Sequence, residues 1–425
     1  MKYQKNTVFL AACLLFYLHL PLLAVDLQGG YGSFADYLNG IYGADDNAGL
    51  TAFPILNIPM GGRSEGMASA FAAVSDDVSF IEYNPAGSSM LLKSEVAFFH
   101  NNWIADSKVE GVVYATRFGD LGIAAGAKWL YTPFTEYNLY AQRVSSGYYS
   151  EGAAILNASY NFLSGYYFGG LSVGANLKGA FRIMPDYVGS GNTGSGSGLS
   201  QSAVMGMLDI GLLTRFNFLK TYASRDKNTS VALVVKNIGP PALGEPLPTV
   251  AGAAVSYKPV RPVTLALDFY MPLNMMDFDL SEKPYFAFGT AVNVTKFLSM
   301  RAGTMVKAGG SRITIGSAVN LEKVAIDVNY TLDLLTQLQP LNRVSLGVRL
   351  DLGDGGRQNI ADKVNELYLL GLDAFAQGKY SDARVCWQEA LKLDPRFDPA
   401  QEGLNMLKNR QELQERVEDL FKLDF

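Results

Sequence analysis

The chain has 425 residues, and its 40 Asp and Glu outnumber its 35 Lys and Arg, giving a net charge of −5. This acidic balance argues against nucleic acid as a partner. Only two Cys and two His are present, which excludes a disulfide framework and a His-rich metal site. The high content of Gly (43), Tyr (23) and Phe (24) is common in membrane β-barrels.

Residues 1–24 have the pattern of a secretory signal peptide, with Lys2 and Lys5 ahead of an apolar stretch. The alternative is an uncleaved membrane anchor, which is weaker because a His and a Pro interrupt a run barely long enough to span. Cleavage leaves Cys386 and His100 as the single Cys and His. A His-dependent triad would have to use His100, which has no Ser motif beside it. We therefore predict no enzyme, no metal site and no cofactor.

Residues 25–93 precede the first strand-like segment, and the family resemblance given below implies that they form an extension and a plug. The stretch Ile58–Met90 contains a Gly pair, a small-residue segment (Met67–Val74), an acidic pair and a turn of the Asn-Pro type. Asn before Pro disfavours helix, and the following Gly frees the backbone, so the turn is tight and fixed. The plug motif consists of Gly61, Gly62, Arg63, Asp76, Asp77, Asn84, Pro85, Ala86 and Gly87.

From residue 94 to residue 352 the apolar pattern has a period of two, which predicts β-strands. In Lys323–Asp333, for example, Val328 falls on an apolar face and Asn329 on a polar one. If these faces meet lipid and lumen, Arg at Val328 should destabilise the protein more than Arg at Asn329. Fourteen such segments are predicted, at about 94–104, 108–118, 120–131, 152–163, 166–182, 202–218, 229–237, 249–258, 261–271, 284–294, 297–307, 311–321, 323–333 and 342–351.

The links between these segments are mostly short on one side and long on the other, as in outer-membrane barrels. Long loops are predicted at Thr132–Glu151 and Ile183–Gln201, among others. The uncharged stretch Gly152–Leu177 could be mistaken for a membrane helix, but its polar residues and Ser-Gly turn favour two strands. Gly189–Gly194 matches a phosphate-loop pattern literally, yet no helix follows it, so no phosphate site is predicted.

Residues 353–359 form a Gly-rich linker, and residues 360–425 have a helical period. The spacing resembles a tetratricopeptide repeat followed by a third helix, although a plain helical hairpin remains an alternative. The domain could pack on the barrel, on another copy or on a partner. The residues at the pattern's positions are Leu367, Gly371, Ala383, Trp387, Ala390 and Pro395.

The plug motif resembles that of FadL-type outer-membrane transporters and the related PorV-type barrels. The predicted fold is an all-β transmembrane barrel of about 14 antiparallel strands, with an N-terminal plug and a small C-terminal all-α domain. Its polar inner face should include Asp268, Arg301, Lys307, Asp327 and Arg349, which hydrate the lumen and pair with the plug.

The resemblance implies an outer-membrane channel of a diderm cell that takes up long-chain fatty acids or other hydrophobic small molecules, gated by the plug. Its expected partners are that small molecule and membrane lipids, with no nucleic acid. The alternative is a scaffold or secretion and surface-display component. Such a protein would act on a periplasmic partner through the helical domain, which an even strand count leaves in the periplasm.

Overall fold

The computed structural model describes residues 45–104, 106–137, 140–184, 202–334 and 341–423. The predicted signal peptide, most of the extension at 25–50 and the loop Gly189–Gly194 lie outside these residues. Within them, fourteen antiparallel strands form a closed barrel, in which each strand pairs with its neighbours in sequence and β1 pairs with β14. The predicted fold class is confirmed.

The strands are β1 Glu95–Asn102, β2 Lys108–Phe118, β3 Leu121–Tyr137, β4 Arg143–Phe162, β5 Leu171–Ile183, β6 Ala203–Phe216, β7 Thr229–Ile238, β8 Thr249–Tyr257, β9 Val263–Leu273, β10 Tyr285–Asn293, β11 Leu298–Val306, β12 Arg312–Asn320, β13 Val324–Asp333 and β14 Leu341–Asp351. We call the end that carries the β2–β3, β4–β5 and other even-to-odd links the turn end. The opposite end, with the β7–β8 and β9–β10 links, is the loop end.

Residues alternate between the two faces of each strand, as the period of two predicts. In β13, Val328 is 42% exposed on the outer surface, whereas Asp327 and Asn329 are buried. The exposed positions of the other strands are likewise mostly apolar or aromatic, for example Phe98, Leu233 and Phe288. The outer surface is therefore that of a membrane β-barrel.

Two predicted boundaries are wrong. The expected long loop at Thr132–Glu151 is mostly sheet, because β3 and β4 continue as a hairpin in which Thr132 pairs with Tyr149 and Glu136 with Ser145. Thr, Tyr and Phe, which favour extended backbone, populate this region. The predicted strand at 166–182 instead begins at Leu171, after a turn that contains Gly170 at φ +86°.

The C-terminal tail has three helices, α1 Arg357–Ala376, α2 Tyr380–Leu393 and α3 Asp398–Leu423. No helix in the described part of the chain is long and apolar enough to cross a membrane. The predicted linker 353–359 is too long, since α1 already begins at Arg357. The Asp354 carboxylate accepts hydrogen bonds from the backbone N–H of Gly356 (2.9 Å) and Gln358 (2.7 Å), which fixes that start.

The residues that match the repeat pattern build the core of the tail. Leu367, Ala383, Trp387 and Ala390 are buried there together. A Cβ at Gly371 would lie 2.3 Å from the Trp387 Nε1, so only glycine lets α1 approach the indole this closely. Pro395 lies in the α2–α3 connection, outside this core.

The tail packs on the turn end of the barrel. The rings of Phe397 and Tyr166 are 5.2 Å apart, and Arg396 forms an ion pair of 2.8 Å with Asp120 in the β2–β3 turn. Arg357 donates hydrogen bonds to the carbonyls of Arg117 (2.8 Å) and Leu92 (2.7 Å). Of the three packing surfaces left open by the sequence, contact with the barrel is therefore confirmed.

Plug and tail meet where the barrel closes. Ser94, which precedes β1, accepts a hydrogen bond from the N–H of Leu352 (2.9 Å) and donates its own N–H to the carbonyl of Gly353 (2.8 Å). We call this pair of bonds, together with the Arg357–Leu92 contact, the seam. It joins the last residues of the plug to the first residues of the tail.

Candidate functional site

The plug fills the lumen and is buried over most of Ala52–Leu91. It consists of short helical turns, at Pro54–Asn57, Arg63–Gly66, Phe80–Tyr83 and Pro85–Met90, joined by irregular backbone. Such backbone is tolerated inside a barrel because wall side chains satisfy its polar groups.

The Gly pair of the plug motif lies where the plug touches the barrel wall. Gly61 and Gly62 have φ of +124° and +73°. A Cβ at Gly62 would lie 2.5 Å from the ring of Phe99, and one at Gly61 would lie 3.2 Å from the Ser345 Cβ. Both the backbone conformation and the space therefore require glycine. This pair leads directly into the turn that carries Arg63.

The inner face of β11–β14, here called the charged wall, holds the acidic pair of the plug. Arg349 bridges Asp77 of the plug (3.0 Å) and Asp327 of β13 (3.2 Å). Arg301 reaches the other oxygen of Asp327 at 2.5 Å. Within the plug, Arg63 pairs with Asp76 at 2.6 Å and lies 3.8 Å from Asp77. Plug and wall therefore form one continuous network of alternating charges.

A second ion network was not predicted from the sequence. Glu65 accepts hydrogen bonds from Asn101 (3.2 Å) and Thr331 (3.3 Å) and lies 3.4 Å from Arg343. Arg343 in turn pairs with Asp333 at 2.6 Å. Glu65 is buried two residues after Arg63, and its place inside the motif is the signal that could have identified it.

The inner face of β7–β10, here called the apolar wall, has a different composition. Its inward residues are mainly small or aliphatic, and Lys236 and Asp268 are the charged ones among them. The plug segment Met67–Val74 packs against this wall in one hydrophobic cluster. The wall residues in that cluster are Ala232, Val234, Val250, Ala254, Ala266, Tyr270, Ala287 and Ala291.

Asp268 is the polar contact at the centre of the apolar wall. One carboxylate oxygen accepts hydrogen bonds from the backbone N–H of Phe71 (3.0 Å) and Ala72 (2.9 Å) and from the Tyr270 hydroxyl (2.9 Å). A single wall carboxylate thus satisfies two plug N–H groups that would otherwise be buried without a partner.

The Asn-Pro turn attaches the end of the plug to β4–β6. The Asn84 side chain accepts from the Ala86 N–H (3.0 Å) and donates to the carbonyls of Ala72 (3.0 Å) and Leu212 (3.1 Å). The Pro85 carbonyl accepts from Asn157 at 2.8 Å. A Cβ at Gly87 would lie 2.6 Å from the Phe80 Cβ, so the turn also closes tightly against the plug.

Of the five predicted lumen residues, Asp268, Arg301, Asp327 and Arg349 face the interior and contact the plug or one another. Lys307 does not belong with them. It lies in the loop after β11, at the loop end, where it pairs with Glu282 (2.6 Å) and sits over the ring of Tyr285. Because β11 ends at Val306, Lys307 lies at the loop end of the barrel and not on its inner wall.

The space left between plug and wall is small. A cavity of about 60 Å³ lies between the plug and the apolar wall, lined by Tyr83, Lys236, Tyr270 and Tyr285 among others. A second, of about 30 Å³, lies nearer the loop end. Ligand sites for small molecules usually measure ~300–1,000 Å³. Both cavities are therefore too small for such a ligand, and the described residues contain no cluster of three potential metal ligands.

Comparison with solved structures finds similarity to other β-barrel proteins. The toluene transporter TodX of Pseudomonas putida matches with a TM-score of 0.40 and 13% identity, covering 63% of this chain and 90% of TodX. A FadL homologue of Pseudomonas aeruginosa matches with a TM-score of 0.40 and 10% identity, covering 68% of this chain and 97% of the homologue.

Sequence comparison identifies closer relatives. A UPF0164 protein of Treponema pallidum (strain Nichols) is 30% identical over 377 residues, covering 85% of this chain and 83% of the relative. A second protein of this description is 27% identical over 394 residues, covering 86% and 77%. Residues 364–397 match the tetratricopeptide repeat. The pattern of the "Uncharacterised protein family (UPF0164)" matches residues 42–355, and the chain belongs to this family.

Proposed function

We propose that this protein is a plug-gated channel of the outer membrane of a diderm cell, and that it passes long-chain fatty acids or other small hydrophobic molecules. The observation that carries the proposal is that the plug contacts two chemically different walls of the lumen. The plug is held to one side by ion pairs and packs on the other side against a continuous apolar wall.

The difference between the two walls suggests how a path for the hydrophobic molecule opens. Ion pairs in a low-dielectric interior are costly to separate, because each charge is left without its partner. The contact of Met67–Val74 with the apolar wall is non-directional, and Asp268 is its principal polar attachment. When this segment moves away, it exposes a surface of Ala and Val side chains that suits a hydrocarbon chain, while the charged wall keeps the plug in the barrel.

A reversible cross-link tests this path. A Cβ at Gly289 of β10 would lie 3.2 Å from the Ala70 Cβ, slightly less than the ~3.5–4.5 Å of a disulfide. It would also lie 2.8 Å from the Met67 Cβ and carbonyl oxygen, so the added side chain itself shifts the plug slightly. Gly289→Cys with Ala70→Cys, in a Cys386→Ser background, should block uptake of a fluorescent long-chain fatty acid into proteoliposomes. A reductant should restore it. The single variant Gly289→Cys is the matched control for the added side chain.

Two outcomes contradict the proposal. One is equal fatty-acid uptake by the oxidised and reduced forms. The other is uptake by protein-free liposomes at the rate seen with the reduced protein. A hydrophilic sugar of similar mass, measured in parallel, distinguishes a hydrophobic path from a general leak.

The scaffold alternative retains one favourable observation, because the tail exposes apolar side chains. Leu369 and Leu370 on α1 are 62% and 51% exposed, and Leu413 on α3 is 62% exposed. Leu369→Glu with Leu370→Glu should leave fatty-acid uptake unchanged if the protein is a channel. If cells that carry this double variant behave like cells that lack the protein, although uptake is normal, a scaffold would be favoured.

A further inference from the structure

A cleft of about 490 Å³ lies between the tail and the turn end of the barrel. Its walls come from the β2–β3, β4–β5 and β6–β7 turns on one side and from the α2–α3 connection on the other. Neither the barrel nor the tail forms it alone. Its side chains include the cations Arg117, Arg225, Lys227 and Arg396 and the carboxylates Asp120 and Asp394.

The cations of this cleft are incompletely neutralised. Asp120 pairs with Arg396, and the Asp394 side chain accepts the backbone N–H of Arg396. Within the described residues, Arg117, Arg225 and Lys227 have no carboxylate oxygen within ion-pair distance, which is 4.0 Å. Burial, together with nearby Lys220 and Arg225, lowers the pKa of Lys227. The positive groups are thus crowded together.

The same three cations keep unused hydrogen-bond donors. Arg117 donates to the carbonyls of Gly119 (2.6 Å) and Leu91 (3.3 Å). Lys227 donates to the carbonyl of Tyr166 at 2.7 Å. Arg225 lies over the rings of Tyr166 and Phe397, at 5.4 and 5.1 Å. A guanidinium has five N–H donors and an ammonium three, so most remain available to a ligand.

We propose that this cleft binds a phosphate-bearing ligand through Arg117, Arg225 and Lys227. A phosphate group offers several oxygens and more than one negative charge, which matches convergent cations better than a single carboxylate does. Arg225 lines the cleft, and its contacts with the rings of Tyr166 and Phe397 do not use its N–H donors as hydrogen bonds. The ligand is either a lipid headgroup or a soluble phosphate ester.

Binding of pyrophosphate to the full-length protein in neutral detergent, measured by titration calorimetry, tests the site. Arg225→Gln with Lys227→Gln should weaken binding at least about ten-fold, because each variant residue loses its charge and its charge-assisted hydrogen bonds to the phosphate. Lys296→Gln removes an exposed cation from the β10–β11 turn at the same end, outside the cleft, and should change nothing. Arg225→Lys with Lys227→Arg, which keeps both charges, should retain most of the affinity.

Native mass spectrometry of protein taken from nanodiscs identifies the source of the phosphate. Phosphatidylglycerol retained by the wild type and lost in the double Gln variant indicates a headgroup. Pyrophosphate binding without lipid retention indicates a soluble ester. The proposal is overturned if neither ligand binds, or if the double Gln variant binds as the wild type does while its heat-dependent gel shift shows a folded barrel.

Discussion

The charged wall and the apolar wall hold the same plug by different kinds of interaction. On β11–β14, Arg349 and Arg301 share Asp327 and reach Asp77, and each contact has a defined direction and partner. On β7–β10, contact with Met67–Val74 is spread over many small side chains. Buried charges fix a register because a displaced charge loses its partner, whereas apolar contacts can re-form after a shift. The charged wall therefore fixes the position of the plug more strictly than the apolar wall does.

The largest expected effect comes from breaking the charged wall. Arg349→Met leaves Asp77 without its wall partner and Asp327 with one Arg in place of two. We expect the free energy of unfolding, measured with urea in detergent, to fall by ~3–5 kcal/mol. Arg349→Lys keeps the charge but reaches both carboxylates less well, so its loss should be smaller. A loss below about 1 kcal/mol for Arg349→Met, as at a surface pair, would contradict a buried network.

The second prediction tests whether the two walls also differ on their outer, lipid-facing sides. Val328 behind the charged wall and Leu233 behind the apolar wall are both outward and near the middle of their strands. Arg at either position should cost ~2–4 kcal/mol, because the outer face meets lipid on both sides. Leu321→Arg, in the β12–β13 turn, should cost ~0–1 kcal/mol. Unequal losses at Val328 and Leu233 would show that the outer surface is not a uniform lipid belt.

The third prediction concerns Asp268, the residue of the apolar wall that binds the Phe71 and Ala72 N–H groups of the plug. Asp268→Asn weakens the acceptor shared by the Phe71 and Ala72 N–H groups and should lower the free energy of unfolding by ~1–3 kcal/mol. Fatty-acid uptake should rise, because the segment is freed. Tyr270→Phe removes one of the three donors and is the milder comparison. Reduced stability with unchanged uptake would separate this contact from gating.

The smallest expected effect is a truncation in the apolar wall. Val234→Ala removes two buried methyl groups facing the plug, which should cost about 1.5 kcal/mol at ~0.8 kcal/mol per group. Val231→Ala, on the outer face of the same strand, should cost less by thermal unfolding. If the order is reversed, the plug does not pack tightly against this wall.

The sequence predicts those parts of the fold that depend on local pattern. Alternation in β13 identifies Val328 as outward and Asp327 as inward, and the structure agrees. The hairpin of β3 and β4 beyond Thr132 was missed because its side chains alternate weakly once the strands leave the barrel. The repeat was found because Trp387 and Ala390 fall at spacings that are set within the tail.

Contacts between distant segments could not be predicted. Asp77 and Arg349 are 272 residues apart, and only the barrel register brings them together. The same applies to Asn329, where sequence alone suggests that replacement by Arg would destabilise the protein only mildly. Asn329 donates to the Gly62 carbonyl at 2.8 Å, and its Oδ1 lies where Cβ atoms on Gly66 and Gly316 would be. An Arg there meets the plug rather than water, so that expectation is corrected.

The seam has a mechanical consequence. Ser94 is bonded to Leu352 and Gly353, and Arg357 is bonded to Leu92. A force that draws the tail away from the membrane therefore acts on residues 92–94, the base of the plug, as well as on the end of β14, from which the tail continues. These few bonds are short-ranged, whereas the barrel ladder resists extension along its whole circumference. Part of any tension on the tail would therefore reach the plug through residues 92–94.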